Sequence, residues 1–121
     1  MDVTAGIAEP RLIEPREILN IPAGFIIEIP KGFEGQLRAR SGLALNAGIC
    51  LANGVGTIDS DYRGEVSIIL LNVGSKAHII NPGDRICQLL IAPVRSFSLI
   101  ETDSPSDTAR GAGGFGSTGD S

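Results

Sequence analysis

The chain has 121 residues, 16 glycines, 7 prolines and a formal net charge of −4. That length holds one core, and an acidic balance speaks against a nucleic-acid-backbone binder, which concentrates Lys and Arg on phosphates. No apolar run approaches the roughly 20 residues of a membrane helix, and the first residues lack the basic-then-apolar pattern of a secretory leader, so a cytoplasmic protein with reduced Cys50 and Cys87 is expected.

Gly and Pro punctuate the chain so densely that the longest stretch free of both, Val94 to Ser104, spans 11 residues. Interior Gly and Pro cost a helix roughly 1 and 3 kcal/mol each, so long helices are excluded. The first β-rich runs are Phe25–Ile29 and Glu34–Arg40. Ser41 to Asn46 is the one place for a turn or two of helix, with Ser41 as the candidate N-cap. Asn53-Gly54-Val55-Gly56 reads as a hairpin turn with exposed backbone amides and carbonyls, the kind of edge that reads a planar base. Asp59-Ser60-Asp61-Tyr62-Arg63-Gly64 follows as a dense charged cluster. In extended chain its two aspartates would share a face; a polar hairpin tip is the commoner use of such residues.

Further β runs are Val66–Asn72, Ala77–Ile80 and Ile86–Ala92, several near-continuously apolar, as strands buried on both faces are. Asn81-Pro82-Gly83-Asp84 is a turn, with φ fixed at Pro and free to be positive at Gly. The sum is an all-β domain of jelly-roll or barrel type with an aliphatic core, since only four Phe, one Tyr and no Trp are present. Residues 1–101 form this domain, and residues 102–121 form a polar linker and a Gly-rich arm that has nothing of its own to bury. Arg110, Phe115 and the Ser117-Thr118 pair are costly choices for a mere solvated tail, and its glycines expose N–H groups to an anion.

Several chemistries fall away. Gly111, Gly113 and Gly116 spell a dinucleotide fingerprint, but at the C-terminal end rather than between a first strand and a helix. His78 is the single histidine, which removes a His-based zinc cluster and disfavours a Ser-His-Asp or Cys-His nucleophile. Arg40-Ser41-Gly42, at the start of the possible helix, has the composition of an anion site. Gln88, set in an apolar run, faces outward or contacts a ligand.

In this order the segments resemble the trimeric deoxyuridine triphosphatases (dUTPases) through five motifs: Met1-Asp2-Val3 as the end of the first, Arg40 to Ala44, Gly56 to Gly64, Gly83 to Leu90, and Arg110 to Gly119. The resemblance implies a jelly-roll (β-clip) homotrimer that hydrolyses dUTP to dUMP and pyrophosphate with Mg²⁺. It implies that Asp59 orients and deprotonates the attacking water and binds the 3′-hydroxyl. Tyr62 would pack under the deoxyribose, and the turn from Asn53 to Gly56 would bind uracil. Arg40, Ser41, Gly42 and Gln88 would hold phosphates. Phe115 would cover the base while Arg110, Gly116, Ser117 and Thr118 close over the phosphates, and Asp2 would support water on the magnesium. The family pattern also includes an upstream strand, so the chain is expected to lack that strand and to leave an edge unpaired. Ala39 stands where the pattern usually has Pro. The related dCTP deaminases place a Glu where this chain has Ile69, and Glu65 comes too early. Deamination is therefore disfavoured. A nucleotide-binding module without turnover is the alternative of another class.

Overall fold

The structure is a computed structural model that describes residues 1–119; the last two residues of the expected arm, Asp120 and Ser121, lie outside the described residues. Among the described residues nine strands and one short helix are formed: β1 (Asp2–Thr4), β2 (Arg11–Ile13), β3 (Ile18–Pro22), β4 (Phe33–Ala39), α1 (Ser41–Ala47), β5 (Ile49–Leu51), β6 (Gly56–Ile58), β7 (Ser67–Asn72), β8 (His78–Ile80) and β9 (Arg85–Pro93). They build a four-stranded sheet in the order β1-β9-β4-β6, a three-stranded sheet β3-β7-β5 and a pair β2-β8, all antiparallel. The expected all-β class holds. Among the described residues no helix is long and apolar enough to cross a membrane.

Alternation along the strands sends one side chain in two to a shared aliphatic core. Ile13, Ile21, Ile68, Leu70 and Ile80 are fully buried there, with Ile86, Val3 and Ile49 nearly so. Within this single chain β7 buries one face rather than two, with Ile69 on the exposed side, while β9 buries the adjacent Ile86 and Cys87 near its start and exposes the adjacent Leu90 and Ile91 near its end. Asn72 is the buried polar exception. Its amide donates to Ile13 O (3.0 Å) and Lys76 O (2.8 Å), and its carbonyl accepts from Gly74 N–H (2.8 Å), which ties β2, β7 and the following turn together.

Three expectations are corrected. Phe25–Ile29 alternates like a strand, with Ile29 buried and Ile26 exposed, but it joins no ladder among the described residues; Phe25 O accepts one bond, from Val66 N–H. Without a second backbone alongside, period-2 alternation yields extended chain only. α1 begins with Arg40 as its N-cap, not Ser41, and no side chain caps it. The Asn53–Gly56 turn does not close a hairpin: β5 pairs with β7 and β6 pairs with β4, so the turn carries the chain from one sheet to another. The Asn81–Asp84 turn forms as expected, with Gly83 at φ 80°, Asp84 N–H bonded to Asn81 O, and the Asp84 carboxylate accepting from Asn81 N–H.

Candidate functional site

The crossing turn creates a cavity. As the chain leaves β5, Gly54 N–H bonds to Leu51 O (3.0 Å) and Val55 N–H to Asn53 O (2.8 Å), lifting the turn away from the sheets. Between it, β6 and β7 lies a cavity of about 200 Å³ lined by Asn53, Gly56, Asp59, Tyr62 and Ile69. Asp59 and Asp61 do not share a face of a strand. After β6 the backbone folds into a turn, Tyr62 N–H to Asp59 O (3.1 Å), so that Tyr62 borders the cavity, Asp61 borders a neighbouring groove and Asp59 stands between the two, lining both. The Tyr62 hydroxyl donates to Glu65 O (3.0 Å) and is held there over Gly64. With aliphatic side chains such as Leu37, Leu51 and Ile68 beside the polar Asn53 and Thr57 and the single carboxylate of Asp59, the cavity suits a small planar polar ring.

A second group gathers at the far end of β4. Asp2 sits between two guanidinium groups, Arg40 Nε at 3.7 Å and Arg85 Nη1 at 3.5 Å, and Arg40 also donates to Arg85 O (3.2 Å). These pairs are partly exposed and each adds little stability, but two guanidinium groups share the one Asp2 carboxylate and keep further N–H donors for an anion, with Asp84 as a second acid nearby. Gln88 faces out of β9 opposite both Asp2 and Arg38, and Ser41 and Gly42 are exposed at the start of α1. Arg40 and Arg85 border a cavity of about 280 Å³ with His78 and Asp84, and none of these residues lines the first cavity.

Among the described residues no cluster of three or more His, Cys, Asp or Glu stands ready to hold a metal. Asp2 fits a divalent cation only indirectly: its oxygens are already shared with Arg40 and Arg85, but a carboxylate has about four lone-pair sites and can still accept from metal-bound water.

The arm stands apart from both groups. Its hydrogen bonds close on itself, Arg110 Nε to Gly113 O (2.6 Å) and Gly111 N–H to Thr108 Oγ1 (3.0 Å). Phe115 is fully exposed with φ 52°, and Gly116, Ser117 and Thr118 sit in its turns. Cys87 is buried in β9, and burial, reinforced by the Asp2 charge, pushes its thiol up to about 11. Cys50 is only partly buried; both cysteines are free. Arg85 and Gly64 carry no local mark of a site in the sequence. Their places follow from strand pairing and from the Tyr62 contact.

Comparison with known proteins bears on the whole arrangement. The dUTPase family model matches residues 6–119. A deoxyuridine 5′-triphosphate nucleotidohydrolase of Rhizobium leguminosarum bv. trifolii is 51% identical over 98% of this chain and 78% of its own length. The protein of that name from Methylocella silvestris is 54% identical, covering 98% of this chain and 76% of its own length. Among solved structures, a mutant dUTPase of Staphylococcus bacteriophage 80alpha with dUpNHpp superimposes at a TM-score of 0.85, 26% identical, over 98% of this chain and 84% of that one. The dUTPase from phage phi11 of S. aureus shares the fold at a TM-score of 0.76, 23% identical, over 88% of this chain and 84% of its own. By family model, sequence identity and fold together, this chain belongs to the dUTPase family.

Proposed function

We propose that the chain hydrolyses dUTP to dUMP and pyrophosphate by attack of water at the α-phosphate. The observation that carries this reading is the cavity that holds Tyr62, Asp59 and the Asn53–Gly56 turn around one small volume. Uracil pairs with the turn's backbone and the Asn53 amide, the deoxyribose lies on Tyr62, and Asp59 takes the 3′-hydroxyl and aligns and deprotonates the attacking water. Selectivity follows from geometry: a base whose donors and acceptors mismatch the turn leaves buried polar groups unpaired, which is strongly rejected. The wall residue at the position of a deaminase's glutamate is the apolar Ile69, and Glu65 is turned to Gly24 N–H (3.2 Å), so neither supports proton traffic at the base.

Arg40, Ser41, Gly42 and Gln88 hold the triphosphate, and Asp2 accepts from water on Mg²⁺. With Asp2 holding its water, Mg²⁺ would supply neutralisation of the charge that builds on the phosphate oxygens. The arm closes with Phe115 on the base and Arg110, Gly116, Ser117 and Thr118 on the outer phosphates, excluding bulk water. We also read the protein as a homotrimer. Two observations support assembly: the nucleoside cavity and the Asp2–Arg40 group open separately in one chain, and Phe97, Leu99 and Ile100 expose 82 to 90% of their surface after β9. Residues 1–101 form the folded body and 102–121 the closing arm. The free cysteines support a reducing compartment, the cytoplasm. Pyrophosphate release measured across dUTP, dCTP, dTTP and UTP tests the reading. Release from dUTP alone is expected; nucleotide binding without release would leave a non-enzymatic module, and ammonia from dCTP would make it a deaminase.

A further inference from the structure

Arg63 has no part in the substrate contacts above, yet it makes the densest set of bonds in its segment. Its Nη1 donates to both Ser60 O (2.8 Å) and Tyr62 O (3.1 Å), and its Nε lies 3.6 Å from Glu28 Oε1. The turn it grips is otherwise closed by a single backbone bond, from Tyr62 N–H to Asp59 O. Packing offers little else. One side of the turn borders the nucleoside cavity, and the other, with Ser60 and Asp61, borders an open groove of about 800 Å³ that runs to Lys31 and Glu34.

Asp59 enters none of the three ion pairs among the described residues. Arg63 therefore grips carbonyls of the turn and not that carboxylate, which belongs to a residue bordering both the cavity and the groove, while Glu28 pairs the guanidinium with the extended 25–29 segment.

We infer that Arg63, held by Glu28, is a positioning residue for the turn that carries Asp59 and Tyr62. This rests on the dUTP-hydrolysis reading. Ion pairs this exposed contribute little to global stability, so the loss of Arg63 is felt in alignment rather than in folding. Misplacement of reacting groups by about 1 Å can cost ~100-fold in rate.

The chain has one tyrosine and no tryptophan, so its intrinsic fluorescence is that of Tyr62. In the full chain, Arg63→Ala is expected to lower Tyr62 fluorescence anisotropy and to reduce kcat for dUTP by ~10- to 100-fold with a smaller change in KM. Guanidinium at non-denaturing concentration is expected to restore part of kcat. Glu28→Gln, which keeps the two carbonyl contacts, is expected to lose only a few-fold. Should Arg63→Ala not fold, Arg63→Lys replaces it, with a smaller loss in the same direction. A native chain that does not hydrolyse dUTP refutes the activity, and the Tyr62 anisotropy still decides the turn. If the native chain is active and the Arg63 variant matches it in kcat and anisotropy, this inference alone is overturned.

Discussion

A Cβ placed on Gly64 would fall 2.5 Å from Cζ of Tyr62. Real Cβ atoms do not approach so closely, and the ring is the more movable partner. Gly64→Ala is expected to swing Tyr62 off its bond to Glu65 O while the fold stays within about 1 kcal/mol of native. The expected outcome is a fall of roughly tenfold or more in kcat/KM for dUTP. Steady-state kinetics beside a denaturant titration separates the two effects, and a stable variant with native kinetics would remove Tyr62 from the sugar site.

Asp59→Asn keeps the shape of the side chain and removes its capacity as a base. Turnover is expected to drop by roughly 10²–10⁴-fold while dUTP still binds. Pyrophosphate release and equilibrium titration with dUTP check the two halves; undiminished release would place the base elsewhere.

The arm's bonds are internal to it, which predicts that it can be removed without loss of the body. A chain ending at Ala109 is expected to melt at the same temperature and to lose most of its activity. A lowered melting temperature or a changed oligomer would show that the arm is part of the scaffold.

Asn72→Leu would leave Ile13 O, Lys76 O and Gly74 N–H without the side-chain partner each has now. Buried unpaired groups cost about 1–3 kcal/mol apiece, so a loss of roughly 2–4 kcal/mol is expected in urea unfolding. A shift below about 0.5 kcal/mol, the size of an ordinary surface change, would argue that the site takes in water.

Cys87 sets a pH dependence. Its thiol is raised from 9.0 to about 11 in the folded chain, first by burial and then by Asp2. The folded state keeps a proton that the unfolded state gives up, so this stability is full below pH 9 and is lost as pH rises through about 11. At about 1.4 kcal/mol for each pH unit of difference the contribution is roughly 2–3 kcal/mol. The fall in unfolding midpoint from pH 8 to high pH should be smaller in Cys87→Ala than in the native chain. An equal slope would mean that the thiol does not titrate with folding.

Much of the scaffold was legible in the residues themselves. Expected runs at Glu34–Arg40, Val66–Asn72, Ala77–Ile80 and Ile86–Ala92 match β4, β7, β8 and β9 to within a residue at each end. Long apolar stretches between Gly and Pro breaks leave one economical conformation. The turn at Asn81–Asp84 was equally plain, because φ at Pro82 and Gly83 is a local property. β1, β2 and β3 have no counterpart among the expected runs: Asp2–Thr4, Arg11–Ile13 and Ile18–Pro22 are short and, unlike β8, are not marked off by an apolar run leading into a Pro-Gly turn.

What chemistry the chain carries was written in local order: a carboxylate and a tyrosine three residues apart, an Arg-Ser-Gly, a Gly-rich arm. Which of those groups meet was decided only in three dimensions. Strand pairing is long-range, so it alone determined that the Asn53 turn crosses between sheets and opens a cavity, and that Asp2 lies between Arg40 and Arg85. The same pairing put a polar knot at Asn72 and left Phe25–Ile29 outside any ladder, because a hydrogen bond needs its partner in place and the partner lies tens of residues away.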